Sequence, residues 1–150
     1  FVGSLFQLFL HQTLIRMSKE ANFFSVDLGG RRIIKKDLNH VNNAVYVKWM
    51  DEVAFAHWSE LTKDNPMTAY IWVVVRHEID YKGQAVLGDV ITTNTWIGES
   101  AGFKSFRHIE FYKGTVLLAQ SKTTWVLLDA ATHKPRRITE SILKLLETTK

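Results

Sequence analysis

The sequence predicts an α+β domain in which one long central helix is wrapped by a curved antiparallel sheet of five to six strands. Three observations predict it. A single long apolar stretch, Ala44–Leu61, carries helical spacing. Four later segments rich in Val, Ile, Thr and aromatics are separated by Gly-containing turns. The 150-residue chain has 19 Lys+Arg, 15 Asp+Glu and no cysteine, a balance that fits one domain with one core.

The elements follow in order. Phe1–Leu10 is apolar but too short to span a membrane, which takes about 20 residues. Residues 1–16 therefore read as an N-terminal extension, flexible or not native, and residues 17–150 as the domain. Asn22–Lys36 reads as a first strand interrupted by Gly29-Gly30. Asn42 and Asn43 then stand where a helix cap is needed, because an Asn side-chain oxygen accepts a free backbone N–H. Val45, Trp49, Val53 and Ala56, extended by Met50, Ala54 and Trp58 and widened by Val47, Phe55 and Leu61, make the following helix apolar on most sides, which implies burial against a sheet.

Beyond Asp64-Asn65-Pro66 the period changes to two. Strands are expected at Tyr70–Tyr81, Val86–Ile97, Phe103–Tyr112 and Thr115–Leu128. In the third of these, alternation puts Phe103, Ser105, Arg107, Ile109 and Phe111 on one face, and Lys104, Phe106, His108, Glu110 and Tyr112 on the other. Ile138–Glu147 closes the chain as a short amphipathic helix. One sheet buries one face on the long helix. Its other face keeps apolar residues, so assembly into a homodimer or homotetramer is expected.

Several chemistries are excluded. Without cysteine there is no disulfide, thiol nucleophile or thiolate metal site, which fits a reducing compartment such as the cytoplasm. His57, His77, His108 and His133 lack metal-ligand spacing, and no P-loop, nucleophile elbow or dinucleotide glycine pattern occurs. No metal or cofactor is expected. The basic pairs Arg31-Arg32, Lys35-Lys36 and Arg136-Arg137 are too short for a nucleic-acid arm, so no nucleic-acid partner is expected.

The informative segment is Asp37-Leu38-Asn39-His40-Val41-Asn42-Asn43-Ala44-Val45-Tyr46, which runs into the helix start. Free N–H groups there, near Asn43 and Ala44, can polarise a carbonyl. A carboxylate just upstream can serve as general base or nucleophile. His40-Val41-Asn42-Asn43-Ala44-Val45-Tyr46, followed by Trp49, resembles the H-V-N-N-x-x-Y signature of the hotdog-fold acyl thioesterases. That group includes the 4-hydroxybenzoyl-CoA thioesterase-like enzymes and the acyl-ACP thioesterases. The later strands and the Lys134-Pro135-Arg136-Arg137-Ile138 turn resemble the same family, over roughly residues 37–147.

The resemblance implies a single hotdog fold and hydrolysis of an acyl-CoA or acyl-ACP thioester. The family's usual D-x-D-x-x-G-H pattern places its nearer Asp four residues before the His. Here Asp37 lies three before His40, Asn39 replaces the Gly, and Ile33-Ile34-Lys35-Lys36 holds no earlier Asp. A one-residue deletion leaves Asp37 as the counterpart. The implied catalytic set is Asp37, His40 and Asn39. The implied substrate-binding set is Asn43, Ala44, Tyr46, Asp51, Lys104 and Arg136. By resemblance and by charge, Lys82, Arg107, Lys134 and Arg137, with Lys104 and Arg136, are candidates to meet the phosphates of CoA at the rim, none of them assigned singly. Two other readings stay open on the same fold: a hydroxyacyl-thioester dehydratase or hydratase, and a non-catalytic acyl-thioester-binding protein.

Overall fold

The structure, a computed structural model, describes residues 13–18, 23–28, 40–86 and 89–147. Two short strands come first, β1 (Thr13–Ser18) and β2 (Phe23–Leu28), paired antiparallel. Helix α1 (Asn43–Leu61) follows, then β3 (Tyr70–Tyr81), β4 (Thr92–Ala101), β5 (Lys104–Lys113), β6 (Val116–Asp129) and α2 (Glu140–Glu147). The main sheet is antiparallel with order β3-β6-β5-β4. It therefore has four strands, not the five to six expected. β1 and β2 form a ladder of their own, and β2 lies alongside β4. β1 takes up residues 13–16, expected in the extension, together with Met17 and Ser18.

Asn42 starts α1 as its sequence position predicts. Its backbone is extended (φ −65°, ψ 140°), and its side chain accepts from the Ala44 N–H at 3.0 Å. The helix stops at Thr62, whose N–H turns back to the Glu60 and Trp58 carbonyls before Pro66. Tyr46, Trp49, Met50, Val53, Ala54 and His57 are buried. Asn43, Lys48, Asp51, Phe55 and Ser59 are exposed along the other side. The sheet thus lies under α1 rather than wrapping it, because the strip from Lys48 to Ser59, at three- and four-residue spacing, faces outward.

Hairpin chemistry fixes the β4–β5–β6 meander. Two-residue loops, Gly102-Phe103 and Gly114-Thr115, join the strands. Gly102 (φ 64°) and Gly114 (φ 57°) adopt the left-handed conformation that such turns demand. β4 begins later than expected. Asp89 turns the chain first, its Oδ2 accepting from the Val86 N–H at 2.9 Å and its Oδ1 meeting Lys113 Nζ at 2.7 Å. α2 begins later too, since the Thr139 Oγ1 accepts from the Ile142 N–H at 3.4 Å and caps it.

Two apolar clusters hold α1 on the sheet. Under its N-terminal half lie Tyr46, Trp49, Met50 and Val53 with Ile91, Ile109, Phe111 and Leu118. Near its C-terminal half, Ile97, Leu127, Ile138, Ile142 and Leu146 pack with Trp58, Tyr70 and Trp72. Between them the inner face of the sheet is polar: Thr95, Ser105, Arg107, Ser121 and Thr123 are all buried. No described helix is long and apolar enough to cross a membrane.

Candidate functional site

The start of α1 is anchored at several points. Val41, just before the cap, donates its N–H to the Ala85 carbonyl at 2.8 Å. Tyr81, at the end of β3, donates its hydroxyl to the Asn43 carbonyl at 3.3 Å. These contacts fix His40, which is half-buried, beside the first helical turn. The Ala44 N–H, expected to polarise a carbonyl, is already taken by Asn42 Oδ1, and the Val45 N–H goes to the Asn42 carbonyl at 2.9 Å. The Asn43 N–H has no acceptor among the described residues. It lies at the positive end of the helix dipole. Asp37 and Asn39 lie outside the described residues.

Tyr46 proves to be a core side chain. It is 2% exposed, and its ring meets Trp49, Tyr81 and Phe111 edge-on at 5.2–5.5 Å. Its hydroxyl is buried without a partner among the described residues. Burial raises its pKa above the ordinary tyrosine value, assisted by Tyr81 and Asp89, so it stays protonated. Sequence reading missed Tyr81 and Asp89. Their only signals were a strand end and a turn, and neither reveals proximity to α1.

The remaining residues lie elsewhere. Lys104 and Phe111 are seven residues apart on β5, about 24 Å at the antiparallel strand rise. Phe111 packs under the start of α1, so Lys104 stands at the far end of the sheet, exposed, with its ammonium over the Phe103 ring. Arg136 is likewise remote and exposed. Its Nη1 donates to Asp129 Oδ2 at 3.0 Å, and its guanidinium lies over Tyr70. Asp129 also caps its own loop, accepting from the Thr132 and Ala131 N–H groups at 2.9 Å. Those backbone bonds, with Arg136, hold its carboxyl below the usual range. Asp51 is exposed on α1 and lines a cleft of about 290 Å³ near the second apolar cluster.

One expectation is overturned outright. Arg107 is not a rim cation for phosphates: it is 5% exposed, beneath α1. Its Nη1 donates to His57 Nδ1 at 2.8 Å and to Thr95 Oγ1 at 3.0 Å. Among the described residues no cluster of His, Asp and Glu could hold a metal ion.

The family model of the thioesterase superfamily matches residues 38–119, more than half of the chain. The chain belongs to the thioesterase superfamily. No curated protein matches it by sequence. Among solved structures, it is similar to the probable thioesterase YbaW of Escherichia coli, at 21% identity and a TM-score of 0.69. That match covers 83% of this chain and 96% of the other. It is similar to a Thermus thermophilus thioesterase complexed with coenzyme A and Zn, at 20% identity and a TM-score of 0.72, covering 85% and 93%. A hypothetical Staphylococcus aureus protein in complex with CoA matches at 17% identity and a TM-score of 0.75, covering 85% and 83%. These likenesses establish the hotdog fold that this superfamily member shares with them.

Proposed function

We propose that this superfamily member hydrolyses an acyl thioester, of CoA or of an acyl carrier protein, to the free carboxylic acid and the thiol. The observation that carries the reading is the superfamily match over residues 38–119, which takes in His40, the cap and α1. The coenzyme A in two similar structures supports CoA as the carrier. In this reading the Asn43 N–H polarises the thioester carbonyl at the helix start, where a developing oxyanion is stabilised. The Asp37 carboxylate removes a proton from water as its oxygen attacks the carbonyl carbon, or itself attacks that carbon to give an acyl–Asp37 anhydride that water then hydrolyses to the free acid and the regenerated carboxylate. The C–S bond breaks and the thiolate leaves, to be protonated. His40 and Asn39 orient water or substrate. Asp51 faces the acyl group. A cytoplasmic setting fits the cysteine-free sequence.

The test is thiol release from short-, medium-, long-chain and aromatic acyl-CoAs, with acyl-ACPs in parallel, for the wild type beside Asp37→Asn. Wild-type turnover is expected, with a loss of about 100-fold or more in the variant, the scale of general-base catalysis. Turnover that survives Asp37→Asn removes that residue's role and leaves the hydrolase. Acyl-CoA and acyl-ACP binding without turnover overturns hydrolysis in favour of a binding protein.

A further inference from the structure

A buried cation is costly to desolvate and ordinarily faces a carboxylate. Arg107 does not. Both groups it donates to are neutral. The Thr95 hydroxyl carries no charge, and burial, reinforced by Arg107 itself, lowers the pKa of His57 to about 3. No carboxylate of the described residues comes within 4 Å of the guanidinium. Yet Arg107 keeps its charge at neutral pH, since burial lowers its own pKa only to about 9.

Arg107 is among the residues that line the cleft of about 290 Å³. The rest of the lining is rich in donors and poor in acceptors. Ser105 accepts from the Ser100 hydroxyl at 2.8 Å, which leaves its own proton to give. Trp72 and Trp125 line the cleft, and their indole N–H groups are buried and find no acceptor among the described residues. The one carboxylate among the lining residues, Asp51, is exposed. Trp58, Tyr70 and Ile97 supply apolar surface.

We propose that this cleft is a carboxylate-binding site, taking a monocarboxylic acid with a short apolar body, its head on Arg107 and its body against Trp58, Tyr70 and Ile97. An Arg–carboxylate pair supplies two parallel charge-assisted hydrogen bonds and gives the buried guanidinium its missing counter-charge. The size of the cleft, at the low end of the roughly 300–1,000 Å³ typical of ligand pockets, keeps the body short. Within one chain Arg107 is remote from the start of α1, since its partner His57 lies fourteen residues beyond Asn43, about 21 Å along the helix, and Asp51, set against the acyl group above, stands between them on the wall of the cleft. The site stands whether or not the chain cleaves thioesters, although a free acid is what such cleavage releases.

The experiment contains no thioester. Octanoate is titrated into the full chain at pH 7 and followed by tryptophan fluorescence and calorimetry, beside octanol, octylammonium and inorganic phosphate. Saturable one-site binding of octanoate is expected, at least tenfold tighter than octanol, with no octylammonium binding. Arg107→Met is expected to lose tenfold or more. Trp72→Phe, which keeps the ring and removes the N–H, reports separately should Arg107→Met not fold, and is expected to weaken octanoate several-fold. Equal binding of octanoate and octanol overturns the proposal. So does phosphate binding as tightly as octanoate, which makes the site a simple anion hole, or the absence of saturation by octanoate in the wild type.

Discussion

A neutral imidazole and a charged guanidinium share one hydrogen bond beneath α1, and the pair makes stability depend on pH. His57 titrates at about 3 in the folded chain against 6.5 when exposed. Between those values the unfolded chain binds the extra proton, so stability rises with pH there and is lost on acidification. The contribution is complete above pH 6.5 and falls away toward pH 3. Urea unfolding at pH 4, 5, 6 and 7 is expected to show it as a wild-type minus His57→Gln difference. That difference should shrink by at most about 1.4 kcal/mol per pH unit as pH falls. A difference independent of pH sinks the assignment. The face each residue shares was legible: His57 falls at helical spacing from Met50, Val53 and Ala54, and Arg107 shares a strand face with Ser105 and Ile109. Their meeting was not, because it joins residues 50 positions apart through the seating of a helix on a sheet. The same limit led to reading Arg107 as a surface cation and left Tyr81 and Asp89 unnoticed.

Local chemistry reached the element scale with more success. The expected limits of β3 agree with the structure, and those of α1, β5 and β6 agree within one residue, because caps, glycine turns and strand alternation act within a few positions. β4 was misplaced at its start, where the Asp89 side chain accepts from the Val86 N–H and also meets Lys113, a long-range partner. Its far end runs past Gly98 through an irregularity between Ile97 and Ser100 that composition does not reveal. The β5–β6 hairpin gives the clearest test at this scale. A Cβ at Gly114 meets nothing within 4 Å, so substitution carries only the cost of a left-handed φ of 57°. Gly114→Ala is expected to lower unfolding free energy by about 1–2 kcal/mol, and Gly114→Asn by less, since Asn tolerates that conformation. Equal stability of all three proteins in urea denaturation contradicts the turn's role.

At the scale of the whole molecule, one edge of the sheet is the outstanding surface. β3 is terminal in the order β3-β6-β5-β4, so one side of a 12-residue strand has no neighbour among the described residues. An edge of this length, without protection, invites pairing. The ladder with β6 shifts register between Val74 and Arg76, and Val75, at the shift, is 57% exposed. An antiparallel strand edge is self-complementary about a two-fold axis, so a second copy of this chain can pair with it by one isologous contact. Exposed Phe55 on α1 offers a different apolar contact, through the helix face rather than the edge. Mass measurement by light scattering separates the two. A homodimer is expected for the wild type. Val75→Lys, placing a charge on the edge, is expected to halve the mass, while Phe55→Ser leaves it unchanged. The reverse pattern moves the interface to α1, and a monomeric wild type abolishes it. Circular dichroism of each variant establishes that a change of mass is not a loss of fold.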